Sequence, residues 1–253
     1  MGVAGPWAAG PAGSIPDLSF AVTDAARLEH AATPTIRFAL QVGSGGAAVR
    51  SIVLDTQIRI AATRRAYSHD SDDRLFELFG ARADWGTTLR SLLWTHTTLV
   101  VPPFTGETEI DLLVPCTYDL DVTAARYFDA LHDGDVPLEF LFSGTVFYST
   151  ADGRLQTARL SWELEAEYRL PVAVWRETLD HHFPGMAWLR LDRESHDRLV
   201  AYKSRRALPT WGAVLDELHP AEEDGACPST RCARSPTRSS TRATSCGPTG
   251  ARR

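Results

Sequence analysis

Lysine is almost missing from this chain: Lys203 stands alone among 26 basic residues, and the rest are arginine. Cysteine is as scarce in the body, where Cys116 is the only one before residue 225, so an internal disulfide there is excluded. No apolar run approaches the roughly 18 residues that cross a bilayer, so no membrane span is expected. The opening MGVAGPWAAGPAGSIP lacks the basic start and long apolar centre of a secretory signal. Pro6 stands where a myristoylation signal needs Ser or Thr. With no export signal, the expected compartment is the cytoplasm. GxSxG, P-loop and CxxC motifs are absent, and Gly43 to Gly46 do not match the GxGxxG of a dinucleotide fold. No cofactor is expected on these grounds.

What is present is an ordinary globular composition, 43% hydrophobic and 23% charged, with an unusual end. From Gly225 to Arg253 the chain has six arginines, no acid and almost no bulky apolar residue. Such a segment cannot bury enough surface to offset the entropy of ordering itself. Residues 220–253 are therefore expected to be a disordered basic tail. The composition of that tail matches a high-GC coding sequence read out of frame, which would end the native protein soon after Leu218. The net charge is −6 for the whole chain and −12 without Gly225 to Arg253. An acidic body disfavours a phosphate backbone, so no specific nucleic-acid partner is expected. Residues 1–15 read as a flexible leader and 16–219 as a single α+β domain.

Strand signals dominate the body. In Leu160 to Leu170, LSWELEAEYRL, apolar residues alternate with Ser, Glu and Arg, as in a strand with one buried and one wet face. Thr35 to Val42 and Ser51 to Ile60 alternate as well, and GSGG between them predicts a hairpin turn. Further strands are expected at Trp94 to Val101, Thr108 to Val114 and Pro137 to Thr150, the last bent at Gly144. Thr117 to Val122 reads as a continuation past Pro115. Ala151 to Gly153 reads as a hairpin turn. Helical spacing marks Ser71 to Phe79 and Ala124 to Leu131, and also Trp85 to Leu93, where a loop is the alternative. Three more helices follow Pro171, with Asp192 capping the second and Pro209 starting the third. The expected fold is α+β: an antiparallel β-sheet or sandwich followed by C-terminal helices.

Candidate sites are few. Glu163, Glu165 and Glu167 would stand about 7 Å apart on one strand face, where carboxylates can bind a divalent cation; outward glutamates are also ordinary. His181, His182 and His196 are the nearest approach to a metal set, but adjacent helical histidines point about 100° apart. Histidines at a helix end more often bond its last carbonyls. Cys116, His96 and Asp119 supply the residue types of a nucleophile, base and orienter. A lone cysteine in a strand more often behaves as a small buried hydrophobe. The most distinctive text is WTHTTLVVPPFTG, where Trp94, His96, Pro102, Pro103 and Phe104 are candidates for contact with a protein partner. The alternative there is a core strand with a rigid turn.

PDLSFAV (Pro16 to Val22), QIRIAATRR (Gln57 to Arg65), WGTTLRSLLWTHTTLVVPPFTG (Trp85 to Gly106), PLEFLFSGTVFY (Pro137 to Tyr148) and LPTW (Leu208 to Trp211) resemble an uncharacterised actinobacterial family of unknown function. The resemblance spans about residues 16 to 218. It implies genes placed near those for NiFe-hydrogenase subunits and maturation factors, and so a non-enzymatic accessory, scaffold or chaperone-like role toward one of them. It carries no established site residue. Two alternatives stay open: a metal-dependent enzyme or carrier using the histidines or the glutamate row, and a self-associating structural subunit.

Overall fold

Alternating apolar residues make the strands, and the longest strand runs straight through the glycines where a turn was expected. The structure is a computed structural model that describes residues 15–117, 122–150, 152–186 and 190–219. The expected tail over 220–253, all but Ile15 of the expected leader, and Asp119 lie outside the described residues. So does most of the strand expected over Thr117 to Val122. The chain divides into two compact units, Met1–Arg190 and Leu191–Arg253.

In the first unit the strands are β1 (Ser19–Arg27), β2 (Thr35–Ile60), β3 (Leu92–Val101), β4 (Phe104–Pro115), β5 (Asp135–Ser149), β6 (Leu155–Arg159) and β7 (Glu165–Pro171). Helices are interspersed: α1 (Asp72–Phe79), α2 (Trp85–Thr88), α3 (Thr123–Asp129) and α4 (Val172–His182). Every strand pairing is antiparallel. The fold is α+β.

β2 is the spine. Its first half pairs with β1 on one edge and β4 on the other. Its second half pairs with β3 and β5, and β5 in turn carries β7 and β6. The two wings pack face to face as a sandwich. Phe20 of β1 stacks on Phe142 of β5 with centroids 4.5 Å apart, and Phe38 of β2 meets Phe140 edge-on at 5.3 Å. Ile36, Phe38, Leu40 and Val42 from one half of β2 and Ile52, Leu54, Ile58 and Ile60 from the other are all fully buried between them.

The hairpin expected over 35–60 is therefore replaced by one bent strand. Residues 44–47 bulge out against the single residue Gly106 of β4, after which pairing resumes at Ala48. Gly45 and Gly46 have φ of 57° and 88°, which a chain of L residues rarely adopts. The buried Ser44 hydroxyl lies 2.7 Å from the Ala47 carbonyl and accepts from the Gly106 N–H at 3.1 Å. The bulge turns the strand from one layer into the next without reversing it.

Pro102 and Pro103 behave in a related way. Val101 pairs with Ile52 and Phe104 with Val49, which is one unbroken register. β3 and β4 are thus one path along β2, interrupted where two residues lack an N–H. The helical spacing at Trp85 to Leu93 ends early, because Leu92 and Leu93 already belong to β3.

The second unit shows α5 (Arg193–Arg205) and α6 (Trp211–Leu218). Asp192 accepts from the Ser195 N–H at 2.8 Å, and Thr210 from the Ala213 N–H at 3.1 Å, so each helix start is capped by its side chain. Arg206 pairs with Glu217 across the two helices.

Candidate functional site

The strand expected over Leu160 to Leu170 is broken, and the break creates the most exposed aromatic among the described residues. Thr145 pairs with Arg159 and Leu141 with Glu165, so five edge residues face three of β5. Leu160 donates to the Gly144 carbonyl at 3.1 Å, and Phe142 donates to the Leu164 carbonyl at 3.0 Å. Between these anchors Ser161 to Glu163 loop out. The Ser161 hydroxyl accepts from the Glu163 N–H at 3.3 Å, and the Ser161 carbonyl accepts from the Leu164 N–H at 3.4 Å. Trp162 stands on this loop with 86% of its surface exposed. Two extra residues preserve the alternation, so Leu160 and Leu164 still face the core while Trp162 is expelled from it.

The outer face of the same wing is partly apolar. Val100 pairs with Val53, with exposures of 64% and 37%, and Leu155 at the start of β6 is 62% exposed. Among the described residues no strand pairs with the outer edge of β6. An open edge beside a fixed, exposed tryptophan can receive an extended segment of another chain.

The structure separates the five residues proposed from sequence for partner contact. Trp94 is the unpaired residue of a bulge in β3, where Ile58 faces Thr95 and Arg59 faces Leu93. The bulge aims its ring inward, 5.0 Å from Phe128 and 6.1 Å from both Trp175 and Phe38. Phe104 is buried. His96, Pro102 and Pro103 are exposed. Trp162 was missed because period-two alternation assigned it to the buried face; no local signal announced the bulge apart from Gly144 opposite it.

The other candidates do not converge. Glu163 belongs to the loop, so only Glu165 and Glu167 keep the strand spacing, and Glu167 is ion-paired to Arg64. Arg64 also reaches Glu139 at 3.2 Å. A shallow pocket of about 220 Å³ lies beside them, lined by Arg64, Pro137, Leu138, Glu167, Tyr168 and Arg169. It is smaller than most ligand pockets. His181 and His182 end α4, and His196 lies in α5 of the other unit. Among the described residues no group of three or more His, Cys, Asp or Glu is placed to hold a metal ion. Cys116 is buried, its thiol 3.5 Å from the Val114 carbonyl and pushed up to about 12 by burial, whereas His96 is exposed on β3.

The remaining buried polar groups are structural. Tyr67 donates to the Ala62 carbonyl at 2.7 Å, and its oxygen lies 2.7 Å from that of Tyr127. A carbonyl only accepts, so Tyr67 spends its proton there and Tyr127 must be the donor between the two. Burial pushes both hydroxyls above their ordinary range. Arg65 donates to the carbonyls of Asp135 (2.7 Å) and Asp133 (2.5 Å), clamping the turn into β5.

These features define an antiparallel sandwich with exposed apolar residues on the outer face of one wing. The chain belongs to a family of unknown function, DUF6084, whose pattern matches residues 15–226. No curated protein matches it. Among solved structures it is similar to the CARDB domain of the PF1109 protein from Pyrococcus furiosus, in complex with di-metal ions. That match has 11% identity and a TM-score of 0.25, and covers 62% of this chain and 92% of that one. It is similar also to beta-glucosidase 3B from Thermotoga neapolitana at 11% identity and a TM-score of 0.24, covering 65% of this chain and 18% of that one. A beta-glucosidase from Kluyveromyces marxianus gives 12% and 0.21, covering 61% and 15%. Likenesses this slight carry no argument about activity or ligand. No helix among the described residues is long and apolar enough to cross a membrane.

Proposed function

We propose that this protein is a non-enzymatic accessory that holds a protein partner at the β6 edge. The observation that carries this is Trp162, presented at 86% exposure on a loop fixed by backbone hydrogen bonds at both ends. Tryptophan contributes more than most residues to binding when a partner covers it. A fixed loop also loses little freedom on binding. Leu155, at the start of the same β6, adds an exposed apolar side chain to that edge.

The partner we propose is a NiFe-hydrogenase subunit or maturation factor, met in the cytoplasm of an actinobacterium. That identity rests on the family resemblance of the motifs quoted above. The test is affinity capture from cells expressing hydrogenase, with the captured proteins identified by mass spectrometry. Recovery of a hydrogenase subunit or maturation factor is expected; recovery of none would remove the hydrogenase assignment. Self-association is the second reading, favoured by the unpaired outer edge of β6, and light scattering of the purified chain tests it.

A further inference from the structure

Two hydrogen bonds that bracket β6 fix which of its backbone groups face outward. Leu160 donates to the Gly144 carbonyl at 3.1 Å at one end, and Thr150 donates to the Arg154 carbonyl at 2.9 Å at the other. Between them Ala158 faces Val146 and Gln156 faces Tyr148. Hydrogen-bonded and non-hydrogen-bonded pairs alternate along an antiparallel ladder. Gln156 and Ala158 therefore turn N–H and C=O toward β5, and Leu155, Thr157 and Arg159 turn theirs away from it. Among the described residues nothing bonds those outward groups, and all three residues are exposed. β7 continues the same side of β5 but lies against β1, so β6 is the open stretch.

The side chains say what the edge can take. Leu155, Thr157 and Arg159 share the outer face, because Ala158 between them packs on the core. Arg159 is the one charged residue of β6, and among the described residues it has no ion pair. Arg154, just before the strand, is already paired to Asp152 at 3.1 Å. In a two-fold pairing of β6 with itself about Thr157, Arg159 would face Leu155 and gain no counter-charge, so a second copy is the poorer occupant. A carboxylate opposite Arg159 and an apolar side chain opposite Leu155 complement both ends.

We propose that the partner segment is an extended strand that pairs antiparallel with β6, bonds the backbones of Leu155, Thr157 and Arg159, and carries an acidic residue followed four positions later by an apolar one. This rests on the reading of β6 as the partner-holding edge and names the chemistry of what it holds. Main-chain bonds supply the affinity, and the two flanking side chains select the sequence.

The test selects a random library of linear dodecapeptides, displayed on phage, against the full chain, and measures the enriched peptides by fluorescence anisotropy. The acidic residue and the apolar one four positions on should recur among them. Thr157→Pro removes an outward N–H that no described residue uses, on an edge where proline is tolerated, and should weaken these peptides about tenfold or more, the size of one lost hydrogen bond. Thr157→Val should bind as the original does. Arg159→Glu should shift the selected charge from acidic to basic, and decides the matter if Thr157→Pro does not fold. Enrichment without that spacing, or unchanged binding by both Thr157→Pro and Arg159→Glu, would overturn the strand pairing; if Trp162→Ala alone lost the peptides, the tryptophan anchor would stand without it. A dimer seen by light scattering and dissociated by Thr157→Pro would make a second copy the occupant and overturn the acidic segment.

Discussion

Gly144 of β5 crosses the backbone of Val53 in β2 so closely that a Cβ on Gly144 would overlap the Val53 carbonyl oxygen. Its φ of 136° is also a conformation L side chains rarely adopt. The same glycine accepts the N–H of Leu160 that anchors the Trp162 loop. Gly144→Ala is expected to cost more than about 3 kcal/mol, from backbone strain and overlap together. Urea unfolding measures it, and a loss below about 1 kcal/mol would mean that this close approach is absent.

The two buried tyrosines are not equivalent. Tyr67→Phe leaves the Ala62 carbonyl with only the Arg65 N–H at 3.5 Å and the Tyr127 hydroxyl without its partner, whereas Tyr127→Phe removes only a donor to Tyr67. Unpaired buried groups are the larger penalty. Tyr67→Phe should cost about 1–3 kcal/mol and Tyr127→Phe about 1 kcal/mol or less. Equal costs would contradict the donor assignment.

Alkaline pH should destabilise the fold. Burial holds the protons of Tyr67, Tyr127 and Cys116 more tightly in the folded chain than in the unfolded one. Above about pH 9 the unfolded chain releases protons that the fold retains, so stability falls as pH rises. Thermal midpoints at increasing pH report this. In the folded protein at about pH 8, Cys116 should resist iodoacetamide and react only after denaturation. Its peptide is followed separately by mass spectrometry, and modification in the folded state would contradict its burial.

Thr56 is buried in the middle of β2, and its hydroxyl has no hydrogen-bond partner. Thr56→Val has nearly the same shape and removes that unpaired group. Stability should stay level or rise by about 1 kcal/mol. A loss of similar size would show that the hydroxyl is bonded in solution.

Much of the fold was legible from Ile36, Phe38, Leu40 and Val42 and from Ile52, Leu54, Ile58 and Ile60, because half-buried strands alternate with period two. What period two does not encode is an insertion of even length. The Trp162 loop adds two residues, leaves every neighbour on its face, and so leaves no trace in the pattern. The bulge at Trp94 is hidden for a different reason: its inward aim comes from tertiary packing on Phe128 and Trp175. Gly43 to Gly46 marked a backbone irregularity, but a turn and a bulge both use glycine, and only the long-range pairing with β4 distinguishes them. The candidate site was thus obscured where the sheet departs from regular pairing.

Trp162→Ala, captured beside the unsubstituted chain from the same hydrogenase-expressing cells, tests the central claim most directly. The substitution removes a side chain that is 86% exposed, so the unfolding midpoint should stay within about 0.5 kcal/mol of the original. Partner recovery should drop at least about tenfold, the loss typical of a buried anchor. Equal recovery by the two chains, at matched stability, would contradict the account.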